Sequence, residues 1–414
     1  MTKTTLDIHN TKYRLEQART RFWKRFRPEN AKVVCGFLDR LRLENKSHGR
    51  IANYAECCQR ILQIRDDKNI SEWTKKEIEA IHKTIADADY ENSTKKDTLT
   101  ALKRLYHYAK HDEIADKSKD RDYDPNVSWI SPGSFHNKYE TIQAKDLLTD
   151  EEILNLIQAV KKIGGRYVKR NIAMLFCLFE GSYRPGELLV IKMDGVTFNT
   201  DFVRVHTTGK TGPKSLALVA SFVTLKEWIA EHPKSDEPDA YLWFHDNEAG
   251  VITYLQFYNL IAKSRKIAGI KKRIWPYLFR HSSLTYYSKR LGNVAKLYGN
   301  WSHSSHMLSR YEHLASSDQE DAILKLYGLK KEDDSNSILF SKICSSCKER
   351  NSADKSHCIK CGVILSKDLA QEREVKKLNK SRRIEKNFSL TITELQKAIL
   401  EQQGKLDELL KEIN

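Results

Sequence analysis

Apolar residues recur at intervals of three and four along most of this chain, and the intervals fall into blocks. Val33, Val34, Phe37, Leu38 and Leu41 share one face, the spacing of an amphipathic helix. Further helices are predicted from about Gly49 to Ile64, from Thr74, and through Leu99, Leu102, Leu105, Tyr106 and Ala109. Thr74 and Glu77 form a capping box at the start of the third helix. No strand-type alternation interrupts residues 29–110, so this stretch reads as a small all-helical unit. Ahead of it, residues 1–28 are basic and polar. There Arg19, Arg21, Lys24, Arg25 and Arg27 interleave with Phe22, Trp23 and Phe26, giving either a strip that follows a polyanion or a helix with a solvated basic face.

Residues 111–145 carry Pro125, Asn126, Pro132, Gly133 and Asn137 among many charges, the composition of a connection; we place a linker at 126–145. A second capping box, Thr149 to Glu152, starts a helix with Ile153, Leu154, Ile157 and Val160 on one face. The helix from Asn171 to Glu180 is apolar nearly all round and predicts a core position. Over 195–219 the period drops to two, predicting three short strands, the second turn being Gly209-Lys-Thr-Gly-Pro213. From Phe222 the pattern is helical again to about Tyr327. The expected fold is mainly α with a small antiparallel β-sheet, an α+β arrangement. Its expected segments are 1–28, 29–125, the linker, 146–332, a cysteine-bearing module at 336–365 and a charged helical tail at 366–414. In the tail, Ile392, Leu395, Ile399, Gln402, Leu406, Leu409 and Ile413 form a heptad seam. That seam predicts either a coiled coil or a helix docked on its own chain.

Composition narrows the partner. The 414 residues are 40% hydrophobic and 30% charged, with a net charge of +16, which favours a polyanion, because Lys and Arg release condensed counterions on meeting phosphates. No run of 18 apolar residues exists, so no membrane span is expected, and the first residues lack the apolar run of a secretory signal. Of eight cysteines, Cys35, Cys57, Cys58 and Cys177 read as buried thiols; this usage fits a reducing, cytoplasmic setting. Cys344-x2-Cys347 and Cys358-x2-Cys361 are two knuckles whose four thiolates can close a tetrahedron around a structural Zn2+. Gly362 follows the second knuckle, where a tight turn is needed. A site of four thiolates has no open position for catalysis.

Four segments of the central region resemble the phage-integrase family of tyrosine recombinases. Gly181-Ser-Tyr-Arg184-Pro-Gly-Glu187 is similar to the box around that family's first catalytic arginine. Lys210, early in the 209–213 turn, matches its hairpin lysine. Pro276-Tyr277-Leu-Phe-Arg280-His281 is similar to its Pro-His-x-x-Arg-His box, and Gly299-Asn-Trp301-Ser with Tyr311 to its Gly-His/Trp-Ser box and nucleophile. The resemblance covers roughly residues 30–328. It implies a helical core-binding domain at 29–125 and a catalytic domain at 146–332, clamping double-stranded DNA. It further implies four protomers on two synapsed sites, for integration, excision or dimer resolution. The zinc module is not part of the resemblance.

These residue types suit phosphodiester chemistry in their own right. Arg184 and Arg280 supply planar forks that match phosphate oxygens and do not deprotonate. A phenol such as that of Tyr311 ordinarily holds its proton to about pH 10, and nearby cations favour the phenolate. Lys210 is the expected general acid for a leaving 5′-hydroxyl, with Lys214 as its rival. Trp301 offers an indole N–H to phosphate. Glu187 is expected to position Arg184 or buttress its helix, and His281 to support the arginine helix. Tyr277 departs from the family's histidine; a phenol donates a hydrogen bond but is no base near neutral pH. His303, His306 and His313 are expected on the surface. Catalysis so built needs neither metal nor nucleotide cofactor. Two alternatives share these features: a type IB topoisomerase, and a non-catalytic DNA-binding regulator that retains the fold.

Overall fold

The structure is a computed structural model, describing residues 7–115, 122–135, 142–209, 212–312, 339, 341–365 and 395–405. Five helices build the first core: α1 (Thr11–Arg25), α2 (Pro28–Leu43), α3 (His48–Ile64), α4 (Lys75–Asp87) and α5 (Asn92–His111). Phe37, Leu38, Leu41, Ile61, Trp73 and Leu102 are sealed within it. The capping box at Thr74 is formed. The basic N-terminal segment is not separate from this unit. Leu15, Ala18 and Phe22 recur at helical spacing and bury α1 in the same core, which leaves Trp23 and the basic side chains outside.

The expected linker also starts inside that core. Asp124 caps the short helix α6 (Pro125–Ser128), and Val127 and Ile130 are buried against α5. Lys103 Nζ donates to the carbonyls of Ser128 and Ile130 at 3.1 and 2.9 Å. Two apolar side chains at i and i+3 and one buried cation thus outweigh the turn composition that suggested a free connection.

The second core holds the remaining elements. α7 (Asp150–Ile163) begins at the Thr149–Glu152 box, and α8 (Val168–Glu180) is buried on nearly every side. A one-turn helix α9 (Pro185–Leu189) leads to β1 (Val196–Phe198), β2 (Val203–Gly209) and β3 (Gly212–Leu218), an antiparallel sheet in that order. β2 and β3 pair from Val203↔Leu218 to Gly209↔Gly212. Alternation sends Val203, Val205 and Thr207 of β2, and Lys214, Leu216 and Leu218 of β3, to the buried face. α10 (Phe222–Ile229), α11 (Tyr254–Ile267), α12 (Pro276–Leu291), α13 (Ala295–Gly299) and α14 (Ser309–Glu312) complete it.

The helical stretch expected from Phe222 onward is broken in three places. Residues 230–253, 268–275 and 300–305 are loops, the first containing Pro233, Pro238 and Gly250, which end helices. Ile8 packs into this second core, and Tyr254 donates its backbone N–H to Ile8 at 3.2 Å. The chain therefore touches the second core just before α1 enters the first. Two small strands, β4 (Lys342–Ile343) and β5 (Arg350–Asn351), belong to the cysteine module. Residues 395–405 are helical, and Leu395 and Ile399 of the predicted seam are exposed, as is Leu400 beside them. The part beyond residue 312 of the helical stretch expected from Phe222 lies outside the described residues. No described helix is long and apolar enough to cross a membrane.

Candidate active site

The turn before α9, strand β3 and the start of α12 meet at one buried carboxylate. Glu187 sits in the first turn of α9, where its side chain caps the helix by accepting the Arg184 N–H at 2.9 Å. Its other oxygen receives Arg184 Nη1 at 2.5 Å, while Lys214 Nζ and Arg280 Nη1 each stand 3.9 Å away. Burial pushes the Glu187 carboxyl up, but Lys214 and Arg184 outweigh that and hold it below the usual carboxylate range. The carboxylate is 2% exposed, so its charge is retained by these cations rather than by water.

Arg184 is the most open of the three cations. Burial alone would lower its pKa, yet the hydrogen bond and charge of Glu187, with the Tyr277 phenol also bonded to it, raise the pKa further. Arg280 is 1% exposed and spread across two loop carbonyls, donating to Ser182 at 2.6 Å and Gly299 at 2.8 Å. Burial, then the neighbouring Arg184 charge, lowers its pKa from the ordinary arginine value. Ser182 and Asn300 adopt left-handed backbone conformations at φ 45° and 51°. Non-glycine residues there cost on the order of 1 kcal/mol each, and the two strained residues flank the groups Arg280 reads: Ser182 supplies one accepting carbonyl, and Gly299, just before Asn300, the other. The Gly299 position admits no side chain, since a Cβ would come within 2.3 Å of the Trp301 ring.

The aromatic residues complete the site. The Arg280 guanidinium lies 5.5 Å from the Trp301 ring centre. Trp301 stacks on Tyr311 at 5.6 Å, and Tyr311 lies 5.8 Å from His281, which itself is 5.2 Å from Tyr277. Tyr311 is 5% exposed and packs into the site of its own chain. His281 is held neutral, its pKa lowered to about 4 by burial and by the charges of Arg280 and Arg310. Below pH 6.5 an unfolded chain's imidazole therefore binds a proton that the folded one refuses until about pH 4. Stability due to this residue is present in full above pH 6.5 and falls as the pH drops from 6.5 towards 4. In urea unfolding at pH 7 and pH 5, His281→Gln should lose less stability on acidification than wild type. Equal losses would refute this.

Five of the six expected site residues (Arg184, Tyr277, Arg280, Trp301 and Tyr311) are brought together. The sixth, Lys210, lies with Thr211 outside the described residues. The strand that leads to it ends against the site, since a Cβ on Gly209 would fall 2.5 Å from Glu187 Cγ. Its rival Lys214 is fully engaged elsewhere. Lys214 Nζ donates to the carbonyls of Gly181 and Tyr298, each at 2.7 Å, and sits 4.5 Å from the Tyr183 ring centre. Burial pulls its pKa well below the lysine range, against the raising effect of Glu187, and the charges of Arg280 and Arg184 lower it further. Lys214 thus staples the 181–184 turn to the end of α13. Sequence reasoning weighed this residue only as a proton donor. His303 and His306 are exposed, and His313 lies outside the described residues.

The four module cysteines also converge, with ligand sulfurs within 4.8 Å of one another. Cys344–Cys361 and Cys347–Cys358 sulfurs are each 3.5 Å apart, near the ~3.8 Å edge of a tetrahedron with Zn–S bonds of about 2.3 Å. The two knuckles share one backbone pattern. Lys348 donates to Cys344 and Gly362 to Cys358, both at 3.0 Å, and both donors are left-handed at φ 60° and 73°.

Residues 146–318 match the phage integrase family. The chain is 23% identical over 139 residues to the type 1 fimbriae regulatory protein FimB of Escherichia coli, across 33% of this chain and 68% of that protein. It is 27% identical over 184 residues to a tyrosine recombinase of Pseudothermotoga lettingae, across 44% and 60%. In structure it resembles the XerH site-specific recombinase bound to palindromic difH substrate, with TM-score 0.52, 17% identity, and 78% and 98% of the two chains covered. It also resembles a lambda integrase dimer bound to a COC′ core site, with TM-score 0.51, 15% identity, and 68% and 76% covered. The fold and site define a DNA strand-exchange enzyme of the breaking-and-rejoining type. With a phage integrase match over residues 146–318 and similarity to tyrosine recombinases, the chain is a site-specific recombination enzyme.

Proposed function

We propose that this chain cuts and rejoins double-stranded DNA through a 3′-phosphotyrosine at Tyr311, attacking in cis. The observation that carries the reading is the continuous stack of Tyr311 on Trp301 beside Arg280, which together with Arg184 surrounds Glu187. Tyr311 Oη forms a bond to phosphorus as the bond to the 5′-oxygen breaks. The phenolic proton passes to solvent, and Lys210 protonates the departing 5′-oxygen. Arg184 and Arg280 offset the charge that builds on the non-bridging oxygens, an environment fixed before DNA arrives. Tyr277 and Trp301 donate hydrogen bonds to the same phosphate. The phosphotyrosine conserves the bond energy, so a second 5′-hydroxyl reverses the step without a nucleotide cofactor. The enzyme works in the cytoplasm as a homotetramer on two synapsed sites, its helical and catalytic domains on opposite faces of the duplex.

A covalent trap tests this. The protein is mixed with a library of nicked duplexes and quenched in detergent, and linked peptides are read by mass spectrometry. An adduct on the Tyr311 peptide is expected. Tight, salt-sensitive binding with no adduct would favour a DNA-binding regulator.

The ribbon at 336–365 holds one structural Zn2+ on Cys344, Cys347, Cys358 and Cys361. The metal closes the two knuckles into one unit and takes no part in the chemistry. Metal analysis of the purified protein should give about one zinc per chain. Cys347→Ser combined with Cys358→Ser should abolish it, and unchanged stoichiometry would remove the assignment.

A further inference from the structure

The stretch Arg350–Lys355, between the two cysteine knuckles, faces two ways. Outward, it is locked to the metal-binding half: Asn351 accepts the Ile359 N–H at 2.8 Å, and its amide reaches Cys358 Sγ at 3.6 Å. Inward, it grips the catalytic domain. The Asp354 carboxylate, 1% exposed, pairs with Lys161 of α7 at 2.6 Å. Its backbone carbonyl accepts from Lys161 and Gln158 at 3.1 and 3.2 Å. Lys355 pairs with Glu227 of α10 at 2.9 Å, and Ala353 and Leu339 are buried in the catalytic core itself.

Arg350 makes the contact closest to function. Its fork donates to the carbonyl of Asp201 at 2.8 Å and of Val219 at 3.1 Å, with Phe222 4.8 Å beneath the guanidinium. Asp201 lies in the β1–β2 turn and Val219 directly after β3, so these carbonyls mark the base of the hairpin whose far end carries Lys210. The Val219 carbonyl also accepts the Phe222 N–H at 3.3 Å, and one rigid fork reads both carbonyls.

We propose that the cysteine ribbon is a built-in buttress of the catalytic domain, docked in cis on α7, α10 and the base of the sheet. In this role it does not serve as a free module for DNA or another protein. Closure of the four thiolates sets the register of residues 350–355, and Arg350 passes that register to the hairpin. The expected effect on cleavage rests on the role proposed for Lys210, whereas the docking does not.

Hydrogen exchange on the full-length protein decides the matter. Arg350 is only partly buried, so Arg350→Ala should keep the fold and raise exchange of peptides over 196–219 roughly tenfold. Asp354→Asn should do the same over 150–163. Chelation of the metal should reproduce both changes, with slower cleavage of a nicked duplex as a second readout. If 341–365 opens on chelation, or loses a contact in either variant, while 196–219 and 150–163 keep wild-type exchange, the ribbon is an independent module and the proposal fails. Should the protein carry no metal, the zinc assignment falls, yet the two variants still decide the docking. Faster hairpin exchange with unchanged cleavage would keep the buttress and show that it does not govern the chemistry.

Discussion

Tyr311→Phe is expected to abolish the covalent DNA adduct and reduce cleavage by at least about 10⁴-fold, since it removes the oxygen that forms the bond to phosphorus. The substitution removes one oxygen. The ring that packs on Trp301 at 5.6 Å and lies 5.8 Å from His281 remains, so the melting temperature should stay within a few degrees of wild type. Affinity for a cognate duplex should change by less than about threefold, because duplex affinity comes chiefly from basic contacts to phosphates. This separation of binding from chemistry is what the site geometry requires. Tyr277 also stands in the site, bonded to Arg184, and supplies the control. An adduct that persists in Tyr311→Phe and maps to the Tyr277 peptide would overturn the assignment of the nucleophile, as would an adduct anywhere else in the chain.

Much of this arrangement was legible in the chain, for identifiable reasons. Capping boxes at Thr74 and Thr149 are local, needing only side chains three residues apart, and both are formed. The drop to a two-residue period over 195–219 is equally local and gives the three-stranded sheet. The four site motifs were readable through their resemblance to the phage-integrase family, and the structure adds a geometric reason for one of them, where Gly299 gives way to the Trp301 ring. What was not legible depends on partners distant in sequence. Ile130 becomes core only because α5 lies beneath it, and the ribbon finds its seat through Asp354 and Lys161, almost two hundred residues apart. Composition shows neither contact. Lys214 is intermediate. The pattern Lys214-Ser-Leu216-Ala-Leu218 places the lysine on the face of two buried leucines, so alternation alone marked it as buried. A buried lysine must find carbonyls or a carboxylate, and that excludes it from donating to DNA.

Lys210→Ala and Lys214→Met should therefore fail in opposite ways. Lys214 Nζ holds the Gly181 and Tyr298 carbonyls and faces Glu187. Methionine fills a similar volume but leaves two carbonyls and part of a buried carboxylate's charge without a partner. Removing one member of such a buried network costs about 3–5 kcal/mol, a loss of Tm on the order of 10 °C for a domain of this size. Cleavage is then lost through the displaced Arg184 turn, and Lys214→Arg, too large for the same pocket, should restore little. Lys210→Ala should leave Tm unchanged within about 1 °C and slow cleavage by about 10²–10⁴-fold, the usual worth of a positioned general acid. A duplex with sulfur in place of the bridging 5′-oxygen distinguishes the two. A thiolate leaves without a proton, thiols being ionised near pH 8.5, so this substrate should bring Lys210→Ala back close to the wild-type rate and leave Lys214→Met slow. Rescue of Lys214→Met instead, with its Tm intact, would make Lys214 the proton donor and assign Lys210 to binding.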